Sequence, residues 1–218
     1  MAETKKISAQ ERAMYFAQST RQTFQTLPTK SVTSEQNTMQ FTIPKARLLS
    51  KIILEVEAVA TLKSNTGTIA YDPMTPYGVL RRISLDLNNG FSPFIVSGKD
   101  MYLYSINRLN PEVLNVQNNT RGVNYVENAA SASGKDARIK FQIVLPVTLN
   151  DRDAVGLVLL QNEETSVTMT VDVGFLKDAY NSIQRIMMKS FLNRYRLRLL
   201  SNHIQFHQRK LHGLIYRY

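Results

Sequence analysis

Residues 51–63, KIILEVEAVATLK, alternate between two kinds of side chain. Glu55 and Glu57 point to one side, and the other side is apolar throughout, with Leu54, Val56, Ala58, Ala60 and Leu62. Successive side chains of a β-strand point to opposite faces, so a period of two predicts a strand with one face in a core. This stretch therefore indicates a sheet that covers a hydrophobic interior.

Three further stretches repeat the period: 82–90 (RISLDLNNG), 137–146 (ARIKFQIVLP) and 166–174 (SVTMTVDVG). Asn89-Gly90 is a dipeptide typical of tight hairpin turns. Strands follow strands without a regular strand-helix-strand alternation, which favours an all-β fold, either a sandwich or an antiparallel jelly-roll barrel, and we expect the jelly-roll barrel over residues 39–174. Its predicted core contains Leu54, Val56, Leu85, Phe141, Ile143, Val167 and Met169.

Two helices and two long loops are expected around these strands. A helix over residues 8–24 begins with a capping box of Ser8 and Glu11, and Pro28 would stop it. The polar segment up to Asn37 is interpreted as an extended arm. Residues 98–108 resemble a short helix. The loops over 64–76 and 110–136 are expected to make subunit or exterior contacts.

The charge is concentrated at one end of the 218-residue chain. The net charge is +10, yet residues 183–218 contain eight basic residues and no acidic one. The chain has no cysteine, which excludes a disulfide framework and leaves the redox compartment undecided, and it has no apolar run long enough for a membrane span. Its start does not resemble a signal peptide, which favours an intracellular product. We expect an N-terminal helical arm (1–38), a jelly-roll domain (39–178) and a basic tail (179–218) that is not integrated into the barrel core as the preceding strands are.

Three interpretations of the tail remain open. Arginines alternate with Tyr195, Leu197 and Leu199, which is typical of polyanion binding through Arg194, Arg196, Arg198, Arg209 and Lys210. A terminal helix docked through Ile186, Phe191 and Leu200 is the second interpretation. A frameshift near residues 180–186 is the third, because Met187-Met188-Lys189 must be encoded ATG ATG AAR, which reads Asp-Glu in a neighbouring frame.

At this point a family resemblance is visible. The succession of residues 41–62, 76–90 and 95–108 (FTIPKARLLSKIILEVEAVATL, PYGVLRRISLDLNNG, IVSGKDMYLYSINR) resembles the first jelly roll of tectivirus-type double jelly-roll major capsid proteins. Residues 139–162 and 166–174 are similar to the closing strands of that barrel. The resemblance covers residues 8–174. The family continues into a second jelly roll, whereas this sequence ends at Tyr218.

The resemblance implies a structural viral protein, a subunit of a trimeric jelly-roll capsomer of a tailless bacterial virus (a bacteriophage). The protein would bind further copies of itself and neighbouring capsid proteins. It would be located in the virion after assembly in the host cytoplasm. The resemblance implies no cofactor and no small-molecule substrate. The N-terminal helix would face a membrane or the genome through Lys5, Lys6, Arg12, Tyr15 and Phe16. The alternative is that this helix packs on its own barrel.

No catalytic signature accompanies these patterns. The sequence has no nucleophile elbow, phosphate-binding glycine loop or HExxH motif, so we expect no enzyme. Asp151 and Asp153 are interpreted as a solvated turn rather than a metal or acid-base pair. His203 and His207 have the spacing of two ligands on one helix face, but no acidic residue supports them. A jelly-roll binding module, such as a virion spike or attachment protein, is the alternative function.

Overall fold

The computed structural model describes residues 8–44, 48–63, 75–88, 90–107, 125–126, 131–147, 158–159, 166–175 and 189–206. Within these ranges the chain is mostly β-strand. The elements are α1 (Ala9–Ser19), β1 (Thr20–Thr26), β2 (Lys30–Val32), β3 (Thr38–Thr42), β4 (Leu48–Lys63), a 3-10 turn (Thr75–Val79), β5 (Leu80–Leu87), β6 (Phe91–Val96), α2 (Gly98–Ile106), β7 (Tyr125–Val126), β8 (Lys135–Pro146), β9 (Val158–Leu159), β10 (Val167–Val173) and β11 (Lys189–Phe206).

The strands form two sheets. The larger sheet has the order β1-β11-β4-β8-β7, with β2 paired to β11 and β9 paired to β4. The smaller sheet has the order β3-β10-β5-β6. Each of these strand pairs is antiparallel. The predicted all-β jelly-roll class is therefore confirmed.

The hydrophobic core lies between the two sheets. Alternate residues of β4, β8, β5 and β10 are buried in one cluster, to which β3 adds Met39, Phe41 and Ile43. All seven residues predicted for the core are buried, and none is more than 2% exposed. Burying one such side chain stabilises the folded state by roughly 1.5–3 kcal/mol. The apolar residues that recur at every second position therefore form the main stabilising contact between the sheets.

The outer face of β4 and β8 is charged. The register pairs Glu57 with Lys140, and ion pairs join neighbouring residues diagonally. The Nζ of Lys140 lies 3.0 Å from Oε1 of Glu55, and Nε of Arg138 lies 3.4 Å from Oε1 of Glu57. These side chains remain partly exposed, which is the ordinary appearance of a solvent-facing sheet surface.

A hairpin joins β5 and β6 as predicted, with Gly90 in its turn, while Asn89 lies outside the described residues. Asn88 has a φ of 52°, in the left-handed region that Asn adopts more readily than most residues. Its amide donates to the Ser166 carbonyl at 2.8 Å, and its side-chain Oδ1 accepts from the Ser166 amide at 2.9 Å. The hairpin is thereby fixed to the start of β10.

Both helices begin with a capping box. At α1 the Ser8 amide donates to Glu11 (2.9 Å) and the Glu11 amide donates to Ser8 (3.2 Å), as predicted. The predicted extent to residue 24 is wrong, because α1 ends at Ser19 and β1 follows. The reason is a distant partner: β1 pairs with residues 200–206 of β11. The short helix expected over 98–108 is α2, whose cap consists of Ser97 and Asp100.

Residues after about 180 were predicted to stay out of the barrel core. The backbone of β11 nevertheless belongs to the larger sheet, and the burial of its side chains lies outside what the structure describes. This strand pairs with β4 from Lys189 to Ile204, and β1 and β2 pair with its other edge. The interpretation as a terminal helix fails for the same residues. The repulsion expected among the arginines does not prevent β11 from pairing with β4. The register sets Arg196 and Arg198 opposite Glu57 and Glu55 of β4.

Main-chain pairing also links the segments expected to be an arm, a barrel and a tail, since β1 and β2 reach β4 through β11. The frameshift remains a hypothesis that only the nucleotide sequence can decide. Most of the two predicted contact loops, residues 64–74, 110–124 and 127–130, lies outside the described residues. Their proposed contacts therefore stay predictions.

Candidate assembly surfaces

The first candidate surface is α1. Its Met14 and Tyr15 side chains are 57% and 53% exposed, so these two do not pack on the barrel as the alternative interpretation required. Lys5 and Lys6, and the side chains of Arg12 and Phe16, lie outside the described part of the chain. Neither described helix is long and apolar enough to cross a membrane.

The second candidate surface is the basic C-terminal segment. The backbone of β11 sets Arg194 opposite Val59, Arg196 opposite Glu57 and Arg198 opposite Glu55. Arg209 and Lys210 lie outside the described residues. Because Thr20 pairs with Phe206, α1 and the end of β11 meet at one corner of the larger sheet. Strand pairing thus brings the two ends of the sequence together, which the sequence alone did not predict.

The possible metal ligands are not brought together in the described part of the structure. His203 lies on a strand, opposite Leu49 and Thr23, so the helical spacing assumed for His203 and His207 does not apply. Asp151, Asp153, His207 and His212 lie outside the described residues. Within the described part of the chain, no group of three His, Cys, Asp or Glu side chains could hold a metal ion.

The outer face of the smaller sheet is a third surface, which sequence reasoning missed. Its registers form three rows across the strands: Thr38, Asp172 and Arg82; Gln40, Thr170, Ser84 and Ile95; and Thr42, Thr168 and Asp86. None of the four strands contains Lys or Glu. The alternating threonines of residues 166–174 were the available signal, but which strands would lie beside them depended on long-range pairing.

A shallow groove opens at one end of this sheet. It has a volume of about 270 Å³ and is lined by Gln36, Asn37, Thr38, Arg81, Asp172 and Val173. The Thr38 hydroxyl donates to Oδ1 of Asp172 at 2.6 Å, and the Arg81 guanidinium lies 6.0 Å from the centre of the Phe175 ring. The carboxylate of Asp172, the acidic group of this groove, therefore already has a hydrogen-bond donor within the chain.

A buried aromatic cluster positions α2 at the side of the barrel. The centroid of the Tyr77 ring lies 4.8 Å from the ring centroids of both Tyr102 and Phe141. Burial, with a smaller contribution from Tyr102, raises the pKa of the Tyr77 phenol far above its usual value. Gly98 permits this packing, because a Cβ there would lie 2.1 Å from the Tyr77 carbonyl oxygen. As a result α2 turns Leu103 and Tyr104 outward.

No protein-family model matches the sequence, and no curated protein matches it. Solved structures do match in fold. The major capsid protein of STIV, the Sulfolobus turreted icosahedral virus, is 13% identical with a TM-score of 0.53, over 84% of this chain and 48% of that one. PBCV-1 VP54, fitted into a reconstruction of the virophage Sputnik, is 14% identical with a TM-score of 0.56, over 88% of this chain and 44% of that one.

A quasi-atomic model of the PBCV-1 virus capsid matches at 15% identity and a TM-score of 0.56, again over 88% of this chain and 44% of the other. The chain therefore spans just under half the length of the structures it matches. The resemblance noted in the sequence is confirmed: the chain has the jelly-roll fold of double jelly-roll major capsid proteins.

Proposed function

We propose that this protein is a structural component of a viral capsid and that it acts by contact rather than by catalysis. The observation that carries the proposal is the match of 88% of the chain to part of a PBCV-1 capsid structure at a TM-score of 0.56. Fold alone does not fix function. The absence of catalytic motifs in the sequence and the surfaces available for contact point in the same direction.

The proposal includes a homotrimer that contacts neighbouring capsid proteins within the virion. The trimer, assembly in the host cytoplasm and a bacterial host rest on the sequence resemblance. The matched structures come from an archaeal and an algal virus, so they add no support for the bacterial host. Exposed Leu103 and Tyr104 on α2, beside the barrel, support lateral contact, because apolar side chains in such positions favour burial against a partner.

We further propose that the corner where α1 and β11 meet faces an anionic surface, either a membrane or the genome. Met14 and Tyr15 would supply apolar contact, and Lys5, Lys6, Arg12, Arg209 and Lys210 the charge. Arg194, Arg196 and Arg198 were also predicted to contact a polyanion. Since two of them lie opposite glutamates in the register, we assign them a smaller share of that binding.

Native mass spectrometry and electron microscopy of the purified full chain test the capsid role. We expect trimers that form ordered patches at high protein concentration. A monomer that binds glycans would contradict the proposal and support the binding module instead.

The anionic surface is tested by co-sedimentation with anionic vesicles, neutral vesicles and double-stranded DNA at several salt concentrations. We expect binding to one anionic partner that falls steeply with salt. Met14→Ser/Tyr15→Ser should weaken vesicle binding and leave DNA binding unchanged. The matched control is Phe24→Ser, which removes another exposed aromatic side chain outside the helix.

A further inference from the structure

We propose that the outer face of the smaller sheet binds the same face of a second copy of this chain about a two-fold axis. The proposal goes beyond the capsid role, since neither a trimer nor an anionic surface requires it. It begins with the contrast between the two outer faces. The larger sheet presents long charged side chains on β4 and β8, whereas β3, β10, β5 and β6 contain no Lys and no Glu.

Side-chain chemistry favours contact on this face. Ordering a long, flexible side chain at an interface costs roughly 0.5–1.5 kcal/mol, and Lys and Glu are depleted from interfaces. Threonine and serine lose little freedom on contact, and Ser84 at the centre of the face is already buried, at 1% exposure. Ile95, which is 57% exposed, adds an apolar group at the edge strand β6. A second protein surface can therefore approach this face at low entropic cost.

The distribution of charge identifies the second surface as another copy. Arg82 and Asp86 lie on the same outer face of β5 with Ser84 midway between them. Four residues along a strand span about 13 Å, so β5 carries its positive charge at one end of the face and its negative charge at the other, with Asp172 of β10 across from Arg82 in the same row. Among the described residues, no ion pair involves Arg82, and Asp86 accepts a hydrogen bond from the Ser92 hydroxyl.

Two-fold symmetry makes this pattern self-complementary. Consider an axis that lies between the two faces and crosses the strands above the row of Gln40, Thr170, Ser84 and Ile95. Rotation about it sets Arg82 of each copy opposite Asp86 of the other, and Asp172 opposite Thr168. Each Ile95 meets its counterpart. An axis along the strands, midway between β5 and β10, would instead set Arg82 of each copy opposite Asp172 of the other. The pairing of Arg82 with Asp86 is therefore the feature that distinguishes the first arrangement.

The expected association is weak. Four strands spaced about 4.8 Å apart and five residues long cover roughly 300 Å² per copy, well below the roughly 800 Å² of a standard stable interface. Such a contact is significant mainly where many copies are held in a regular array, because the array raises the local concentration.

Thiol cross-linking tests the contact, because the chain has no cysteine and each introduced thiol is unique. Thr170→Cys places one thiol beside the proposed axis. Thr61→Cys is the matched control, since both threonines are half-buried and lie on the outer faces of different sheets. A short bis-maleimide should yield at least about tenfold more cross-linked dimer from Thr170→Cys than from Thr61→Cys. Equal yields would overturn the proposal.

Charge reversal tests the geometry. In the Thr170→Cys background, Arg82→Glu should reduce the dimer yield about tenfold, and Arg82→Glu/Asp86→Arg should restore most of it. Lys99→Glu makes the same charge change on α2 and should have no effect. An unchanged yield in Arg82→Glu, or no recovery in the double variant, would overturn the two-fold arrangement. Circular dichroism verifies the fold of each variant, and sedimentation equilibrium of Arg82→Glu without the cysteine gives an independent readout.

These results are separable from the capsid role. Trimers that form ordered patches without a Thr170→Cys cross-link would retain the capsid proposal and remove this one. A cross-linked dimer from a chain that forms no larger assembly would do the reverse.

Discussion

Glu57 on β4 lies directly opposite Arg196 on β11 in the antiparallel register. On the other side of β4, Glu57 forms an ion pair with Arg138 of β8 at 3.4 Å. Glu55 repeats the arrangement, with Arg198 opposite on β11 and Lys140 of β8 at 3.0 Å. The acidic residues of the sheet centre thus lie between two basic strands, which explains how a segment without acidic residues can be accommodated in a sheet.

Charge reversal at Glu57 should therefore destabilise the larger sheet. Glu57→Lys places a third positive charge between two basic strands, and we expect a loss of about 1–2 kcal/mol in the free energy of unfolding. Urea denaturation followed by circular dichroism measures it. Glu57→Gln, which removes the charge without reversing it, should lose less. If Glu57→Lys is as stable as the natural chain, the charges of Arg138 and Arg196 do not stabilise the pairing of β4 with its neighbours.

Truncation tests the role of β11. A chain ending at Ser182 loses the strand that pairs with β4 and the only described partner of β1 and β2. We expect lower stability and faster tryptic cleavage at Arg21 and Lys30. A chain ending at Phe206 is the control, because it retains every described strand. If both truncated chains resist trypsin equally, β11 does not hold the N-terminal strands.

Phe141→Ala should cost about 3–5 kcal/mol, because Phe141 is fully buried and contacts Tyr77. The neighbouring Gln142→Ala, on the outer face of the same strand, should cost less than about 1 kcal/mol. Chemical denaturation of both variants measures the difference. Similar losses would contradict the assignment of the two faces of β8.

Gly98→Ala should destabilise the packing of α2 by about 1–3 kcal/mol, because the new methyl group would overlap the Tyr77 carbonyl oxygen, a backbone atom that cannot easily move. Gly90→Ala is the matched control: its nearest contact would be the Asn88 carbonyl oxygen at 4.0 Å. Thermal unfolding compares the two. A larger loss for Gly90→Ala would contradict the close approach of α2.

The Asp100 cap should make α2 sensitive to acid. Hydrogen bonds from the Ser97 side chain, and then from its backbone, lower the pKa of Asp100. A carboxyl whose pKa is lower in the folded state stabilises that state above its unfolded pKa of about 3.9, and the contribution disappears as the pH falls through the folded value. Asp100→Asn should therefore be less stable than the natural chain at pH 6, and the difference should shrink as the pH falls below about 4.

Ser97→Ala removes the main cause of that shift. Its stability should consequently depend less on the residue at position 100, measured as the difference between Ser97→Ala and Ser97→Ala/Asp100→Asn over the same pH range. A pH dependence unchanged by Ser97→Ala would assign the effect to another group.

Local pattern predicted most of the core, and distant pairing explains most of what it missed. Alternation around Leu54, Phe141 and Met169 is readable in the sequence because burial on one face imposes it residue by residue. The capping box of Ser8 and Glu11 was also readable, as a serine followed by an acidic residue at the third position. Thr20–Thr26 was expected to be largely helical because its strand partner lies at the other end of the sequence.

The contact surfaces were less predictable for the same reason. Tyr15 was recognised from its own helix, whereas the outer face of the smaller sheet consists of residues from four separated segments. Its rows exist only once Thr170 lies between Gln40 and Ser84. The strand pairing of the basic C-terminal segment was not predicted, because Glu55 and Glu57, which lie opposite its arginines, are more than one hundred positions away in the sequence.

The central position of β11 has a consequence for synthesis on the ribosome. β4 emerges early, but the strand that covers its edge is translated after all the other described strands. During that interval an unpaired edge, rich in branched apolar residues, is open to pairing with other nascent chains. Productive folding therefore competes with aggregation until translation passes Phe206, and slow decoding or a shortage of chaperones should reduce the yield of soluble protein.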